Sequence, residues 1–279
     1  MKYKKIITGG CSFSDPGTPY TWVNLLERHI KKTNPDAAFD HRGLSSQGQQ
    51  LIQKKTVHAI WKSLNEGYKP EEICVIVMWS GHDRRSWLIN NKDTIKRIVE
   101  HWTKQDRLIY QLQFGNLENT GDNIAELGAG GKSLHIPYNK DGGWYITGGW
   151  HDEVPFFKEY LMFVKGLEES IILSLENIIM LQSICKMHNI KLYEQFYMDN
   201  AYELMEQFKD HKECKYLYDL LTKSNYVSTQ SIHGYLKSIE VEDCQYFKTA
   251  IDPHPNAHGH LIWLHNILLP HLEKTGFFK

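Results

Sequence analysis

The sequence predicts an open α/β sandwich with a mainly parallel central sheet. One observation is the run Ile73–Met78, which is continuously apolar and rich in β-branched residues. Such a run is typical of a strand covered on both faces, as in a parallel sheet. The other is that strand-like and helix-like segments alternate along the chain, which is the pattern that builds layered α/β folds.

Local patterns predict the individual elements in turn. Lys4–Thr8 is a short segment bounded by glycines and reads as the first strand. Apolar residues at helical spacing predict the first helix over about Tyr20–Lys32. The same two kinds of pattern predict a weaker strand at Ala37–Asp40, a helix near Gln49–Asn65, a long helix within Leu161–His188, a strand at Ile190–Tyr193 and a final helix over Ala257–Leu272.

Two stretches lack a long periodic pattern. Residues 113–155 are rich in glycine and aromatic side chains, and a stretch this long inside an α/β domain is usually functional or mobile. We expect it to be an insertion near the active site. Residues 197–245 are expected to be a second irregular stretch. Because no linker is visible, the sequence predicts one domain over residues 1–279.

Composition narrows the functional classes. The 279 residues carry 32 Lys plus Arg and 33 Asp plus Glu, for a net charge of -1, which argues against nucleic acid as the main partner. No apolar run approaches about 18 residues, so no membrane span is expected. The five cysteines are widely spread and odd in number. Together with the lack of a signal-peptide core at the start, they favour reduced thiols and a cytoplasmic location.

Two segments at opposite ends of the chain carry the residue types of a catalytic triad. Ser12 follows the first predicted strand directly, where open α/β sheets bind their ligands. Asp252 and His254 stand close together near the other end. Serine needs a histidine to take its proton and a carboxylate to orient that histidine. The chain order Ser, Asp, His is one that such triads take on α/β folds.

Four short segments, Gly10–Ser14, Gly43–Gly48, Trp79–Arg84 and Asp252–Asn256, follow one another along the chain. In this order they resemble the sequence blocks of the SGNH (GDSL-like) hydrolases. The resemblance implies a flavodoxin-like, three-layer α/β/α sandwich and a serine esterase that needs no metal or organic cofactor. It implies Ser12 as nucleophile, His254 as general base and Asp252 as its orienting carboxylate. The substrate would be a small-molecule or glycan ester, and a carbohydrate O-acetyl ester fits the aromatic insertion.

The resemblance also implies an oxyanion hole. Its donors would be the Ser12 N–H, the N–H of Gly43 or Gly48, and the ring of His82, which stands where the family has asparagine. Ser46 is an alternative alignment for the glycine position. Possible substrate contacts are Arg84 and three aromatic residues of the insertion, Trp144, Tyr145 and Trp150. These three aromatic residues could equally anchor the insertion on the core.

Some features of the sequence favour other assignments. The Asp252–His254 pair has one intervening residue where the family has two, so Asp243 is the reserve carboxylate. His258 and His260 are alternatives to His254 as the base. Cys11 stands beside Ser12 but is expected to point into the core and not to act as a thiol nucleophile. One alternative function is a metal-dependent hydrolase that uses the C-terminal histidine cluster with Asp252, joined by His82 and Asp83. The other is a non-catalytic module that binds a glycan or a protein.

Overall fold

The structure is a computed structural model. It describes residues 2–45, 47–89, 112–115, 124–125, 143–147, 166–249 and 252–279. For the strand residues 86–89, 112–115, 124–125 and 143–147 it describes the backbone and not the side chains.

Two four-stranded sheets are present in the described residues. The first is all parallel, with strand order β2-β1-β3-β8, and the second is antiparallel, with order β4-β7-β5-β6. The strands are β1 (Lys5–Gly9), β2 (Ala38–His41), β3 (Ile73–Trp79), β4 (Arg85–Ile89), β5 (Leu112–Gly115), β6 (Ile124–Ala125), β7 (Gly143–Thr147) and β8 (Lys191–Phe196).

Helices cover both faces of the parallel sheet. Because β2 and β3 lie on opposite sides of β1, right-handed crossovers place the first two helices on opposite faces. The second helix packs against the long third helix, and the first packs against the helix Ala257–Trp263. The helices are α1 (Trp22–Lys31), α2 (Gln49–Asn65), α3 (Leu167–Met187), α4 (Asp199–Gln207), α5 (Lys215–Leu220), α6 (Ile232–Ile239), α7 (Ala257–Trp263) and α8 (Leu269–Lys274), with a π-helical turn Leu264–Leu268 between the last two.

The predicted fold class is confirmed: a parallel sheet is flanked by helices. All seven residues of β3 are buried, as its uninterrupted apolar run requires. The prediction that residues 197–245 are irregular is wrong, because α4, α5 and α6 lie there. These helices have six to nine residues. Segments so short show little periodicity, and their stability comes from packing rather than propensity.

The insertion at 113–155 overlaps the second sheet. β7 lies within it, and β7 pairs antiparallel with both β4 and β5. β6 and residues 113–115 of β5 also lie within it, and the other residues of the insertion are outside the described part of the chain. That the insertion adjoins the active site therefore stays a prediction.

α3 is long and apolar enough to cross a membrane, by length and composition alone. Its most apolar 18-residue window has a mean hydropathy of 1.3, and 44% of that window is buried inside the structure. The buried residues include Ile171, Leu175 and Ile178, which belong to the main hydrophobic core. Burial of this kind is also what the core helix of a layered fold shows.

Glu194 is a carboxyl group in the middle of this core. It lies on β8 and is fully buried. Trp79 Nε1 donates a hydrogen bond to Oε1 at 2.9 Å, and Gln182 Nε2 donates to Oε2 at 2.7 Å. Burial raises the pKa of Glu194 to about 7, although these hydrogen bonds act in the opposite direction.

This shift predicts a pH-dependent stability. Between the ordinary pKa near 4.5 and about 7, the folded chain holds a proton at Glu194 that the unfolded chain has released. The free energy of unfolding should therefore fall as pH rises through this window, by up to about 3 kcal/mol. Urea unfolding at pH 4.5 and pH 8 should show this fall in the wild type and a smaller one in Glu194→Gln. An equal fall in both proteins would contradict the assignment to Glu194.

Candidate active site

Three loops meet at the carboxyl ends of β1, β2 and β3. The turn Ser12–Ser14 follows β1, residues 42–45 and 47–48 follow β2, and residues 80–84 follow β3. The carboxyl ends of parallel strands share one edge of the sheet. In addition, the chain passes from β1 to β2 on one side of β1, and then from β2 to β3 on the other side. Open α/β sheets bind ligands at the strand where the direction of the connections reverses in this way.

The structure brings Ser12, His254 and Asp252 together. Ser12 Oγ lies 2.7 Å from His254 Nε2, across 242 residues of sequence. His254 Nδ1 lies 2.5 Å from Asp252 Oδ1, which also accepts the His254 backbone N–H at 3.0 Å. A proton on Nδ1 that is held by the carboxylate leaves Nε2 free to accept from the serine hydroxyl. The short Asp-x-His spacing thus lets one carboxylate oxygen hold both the ring and the backbone of the histidine.

Asn256 holds the loop that carries this pair. Its Oδ1 accepts the Gly259 N–H at 2.9 Å and so caps α7. Its Nδ2 donates to the carbonyls of Gln245 and Phe247, each at 3.1 Å. The Lys248 N–H donates to the His254 carbonyl at 3.0 Å. The sequence analysis predicts no such capping role for Asn256.

The electrostatics suit a histidine base. Burial lowers the pKa of His254, while Asp252 raises it and Lys248 and Arg84 lower it. Burial would raise the pKa of Asp252, but hydrogen bonds from His254 bring it below its ordinary value. At neutral pH the histidine is therefore neutral and the carboxylate ionised. The Phe13 ring lies against the imidazole, with centroids 4.9 Å apart.

Gly43 lies tightly against the turn Ser12–Ser14. A side chain at this position would collide with the carbonyl of Ser14. Neither the Ser12 N–H nor the Gly43 N–H is used in a backbone hydrogen bond with the described residues. Gly48 is the N-cap of α2, and its Cα faces the carbonyl of Arg84. Ser46, the alternative alignment, is outside the described residues.

His82 is not positioned as an oxyanion donor, which corrects that expectation. Its Nε2 donates to the carbonyl of Ala201 at 2.6 Å, and its Nδ1 lies 2.8 Å from Ser174 Oγ. Both ring nitrogens are thereby engaged in joining the loop after β3 to α3 and α4. The ring is buried, with 6% of its surface exposed, so these contacts are structural.

Of the other residues named in the sequence analysis, Cys11 and Arg84 have described side chains, whereas the aromatic residues of the insertion do not. Cys11 is fully buried, as expected. The Arg84 guanidinium lies 5.1 Å over the ring of Tyr197, which packs edge-on against Phe13 at 5.2 Å. The side chains of Trp144 and Tyr145, which lie on β7, and the whole of Trp150 are outside the described part of the structure. Their substrate contacts stay predictions.

The rival groups take no part in this cluster. Asp243 and His258 are exposed, whereas His260 is 4% exposed and burial lowers its pKa to about 3. In the described ranges, no three His, Cys, Asp or Glu side chains are grouped so as to hold a metal ion. The donor set of the metal-dependent alternative is therefore not assembled by these residues.

A cavity of about 360 Å³ opens beside Tyr197. Its walls come from the loop after β3, the start of α3 and the region of α4. The lining residues are Gly81, His82, Asp83, Gly166, Leu167, Ser170, Tyr197, Asn200, Ala201 and Leu204.

Comparisons with known proteins gave structural likenesses only. No protein-family model matches the chain, and no curated protein matches it. An α/β hydrolase enzyme from the metagenome of Lake Arreo, Spain, matches with 13% identity and a TM-score of 0.42, over 98% of this chain and 97% of that one. Two variants of an acetyl xylan esterase from Geobacillus stearothermophilus match with 13% identity and TM-scores of 0.42 and 0.43, over 98% and 99% of this chain and 97% and 96% of theirs. Likeness at this level assigns neither a family nor an activity.

Proposed function

We propose that the chain is an SGNH-type serine hydrolase that cleaves an ester through an acyl-serine intermediate. The observation that carries the proposal is the hydrogen-bonded series Ser12–His254–Asp252 at the carboxyl edge of a parallel sheet. A serine within hydrogen-bonding distance of a neutral, carboxylate-oriented imidazole has the arrangement that nucleophilic catalysis needs.

The proposed reaction has two half-reactions. Ser12 Oγ attacks the acyl carbon while His254 Nε2 takes its proton, and the proton then passes to the departing alcohol. In the second half-reaction, His254 takes a proton from a water molecule while the water oxygen attacks the acyl carbon. The bond between the acyl carbon and Ser12 Oγ then breaks, the carboxylic acid is released, and the proton passes from His254 to Ser12 Oγ. Asp252 remains ionised throughout and stabilises the imidazolium that forms in each half-reaction.

We assign the oxyanion hole to two backbone groups, the N–H of Ser12 and the N–H of Gly43. Both lie at the nucleophile turn, and neither donates to a backbone carbonyl of the described residues. Gly43 is preferred to Gly48 because its backbone adjoins the turn Ser12–Ser14, whereas Gly48 adjoins Arg84. Each such donor is worth about 10²–10³ in rate in acyl-transfer enzymes.

The substrate we propose is a small ester, and an O-acetylated carbohydrate is the first class to test. The 360 Å³ cavity is in the size range of small-molecule sites. Tyr197 connects it to the reacting centre through Phe13. Arg84, whose guanidinium lies over the Tyr197 ring, is the cation that we propose as a substrate contact.

The proposal is tested by labelling with a small fluorophosphonate as a function of pH. We expect one adduct, on Ser12, located by peptide mass spectrometry. Because only the neutral imidazole can take the serine proton, the rate should rise with pH and level off. Its midpoint should lie below 6.5, since the pKa of His254 is lowered.

A matched control and a contradicting result follow from the same experiment. Ser14 shares the turn but is fully buried and accepts a hydrogen bond from Trp22 Nε1 at 2.9 Å, so Ser14→Ala should still be labelled. If Ser12 carries no adduct at any pH, the chain is not a serine hydrolase. The non-catalytic binding module would then be the better hypothesis.

A further inference from the structure

Two buried side chains join the loop that carries Gly43 to the nucleophile turn. They are Gln47, which contacts the chain just before that turn, and Asp15, which directly follows it. Gln47 is fully buried and Asp15 is 6% exposed. Neither side chain has a hydrogen bond to Ser12, His254 or Asp252.

Gln47 ties the two strand ends together. Its Nε2 donates to the carbonyl of Gly10, two residues before the nucleophile, and to the carbonyl of Arg42 at 2.9 Å. One amide group thereby bridges the chain leaving β1 and the chain leaving β2. Arg42 is the residue before Gly43, so the bridge ends next to the proposed oxyanion donor.

Asp15 makes the second connection, from the other side of the turn. Its Oδ2 accepts both the backbone N–H of Ser45 at 3.0 Å and the Ser45 hydroxyl at 2.9 Å. Its Oδ1 accepts the Gly17 N–H at 2.9 Å. Hydrogen bonds to an ionised carboxylate are about twice as strong as neutral ones, so this contact holds the loop firmly.

Backbone contacts complete the arrangement. The Arg42 N–H donates to the Thr8 carbonyl at 2.7 Å, and the Leu44 N–H donates to the Gly10 carbonyl at 3.2 Å. Gly43 lies between these two bonds with its Cα against Ser14. These backbone bonds and the side chains of Gln47 and Asp15 together fix the loop that carries the Gly43 N–H beside the turn Ser12–Ser14.

We propose that Gln47 and Asp15 are positioning residues, which hold the Gly43 N–H at the distance from Ser12 that an oxyanion requires. The inference rests on the proposed function. Preorganised donors are effective only when they are fixed before the charge develops, and a displacement of about 1 Å can cost about 10² in rate.

The test replaces Gln47 with methionine, which has a similar length but no donor. For Gln47→Met we expect kcat for a small chromogenic ester to fall about 10–100-fold while KM changes less than about 3-fold. Fluorophosphonate labelling of Ser12 should slow by the same factor, because the phosphonyl oxygen uses the same hole. The pH midpoint should stay at the wild-type value, since His254 is untouched.

Gln195 provides a matched control. It is also buried, at 2% exposure, and its side chain also fixes a loop: Nε2 donates to the Gln230 carbonyl at 2.6 Å, and Oε1 accepts the Ser228 N–H at 3.2 Å. Gln195→Met should lower the melting temperature about as much as Gln47→Met, yet leave kcat within about 3-fold of the wild type. If the two variants lose equal activity, Gln47 has only a general structural role and the inference is overturned.

Asp15 gives an independent route if Gln47→Met does not fold. Asp15→Asn should show the same selective loss of kcat, because an amide has one acceptor oxygen and cannot accept from Ser45 and from Gly17 at the same time, as the two carboxylate oxygens do. Ser45→Ala keeps the backbone contact and should lose less. If Asp15→Asn keeps full kcat, the inference fails. A labelled wild type with fully active variants overturns this inference alone, whereas an unlabelled wild type overturns the proposed function.

Discussion

Replacing Ser12 with alanine is expected to lower kcat for a small ester by about 10⁴–10⁶-fold. Its hydroxyl is the group within 2.7 Å of the His254 ring, and alanine leaves that base without a nucleophile to activate. The residual rate comes from the oxyanion donors and from binding, which a triad serine does not supply. The measurement is steady-state hydrolysis of a chromogenic acetate ester, with the melting temperature recorded in parallel.

The informative comparison is with Ser14→Ala in the same turn. Ser14 Oγ accepts from Trp22 Nε1, so its loss leaves a buried donor without an acceptor. That variant should lose stability, by about 1–3 kcal/mol, and keep most of its activity. Ser12→Ala should show the reverse. If both variants lose activity in proportion to their loss of stability, Ser12 is a structural residue and the proposed mechanism is wrong.

The strands of the parallel sheet could be predicted because the pattern that marks each strand lies within a few consecutive residues. The apolar run of β3 and the flanking turn residues of β1 carry the signal within a few residues. α2 has the predicted bounds, Gln49–Asn65, because Gly48 precedes an uninterrupted helical pattern. The long α3 was predicted from Leu161 and begins at Leu167 in the described residues.

The direction in which a loop side chain points could not be predicted in this way. Motif order placed His82 at the edge of the sheet, and it is there. Whether its ring faces the reacting centre or the helices depends on Ser174 and Ala201, which are 92 and 119 residues away. The connections through Gln47 and Asp15 are of the same kind, since each depends on the distance between two loops that the sheet sets.

Asp252 and His254 are separated by one residue, and this short spacing has a measurable consequence. Asp252→Ala should lower kcat about 10⁴-fold, as the loss of an orienting carboxylate does elsewhere. Because both hydrogen bonds from His254 end on Oδ1, asparagine can still accept them and loses mainly the charge. Asp252→Asn should therefore be less impaired, by about 10²-fold.

The pH profiles of these variants test the electrostatic part of this account. Asp252 raises the pKa of His254 against the effect of burial, so its removal should move the midpoint of kcat/KM to lower pH in both variants. The exposed Asp243 is the control carboxylate, and Asp243→Asn should change neither kcat nor the midpoint. A midpoint that stays fixed when Asp252 is lost would mean that this carboxylate does not act on the base. Loss of activity in Asp243→Asn would transfer the role to that residue. A graded loss, with alanine worse than asparagine and the midpoint lowered in both, would indicate that one carboxylate oxygen fixes the ring while the charge supports the imidazolium.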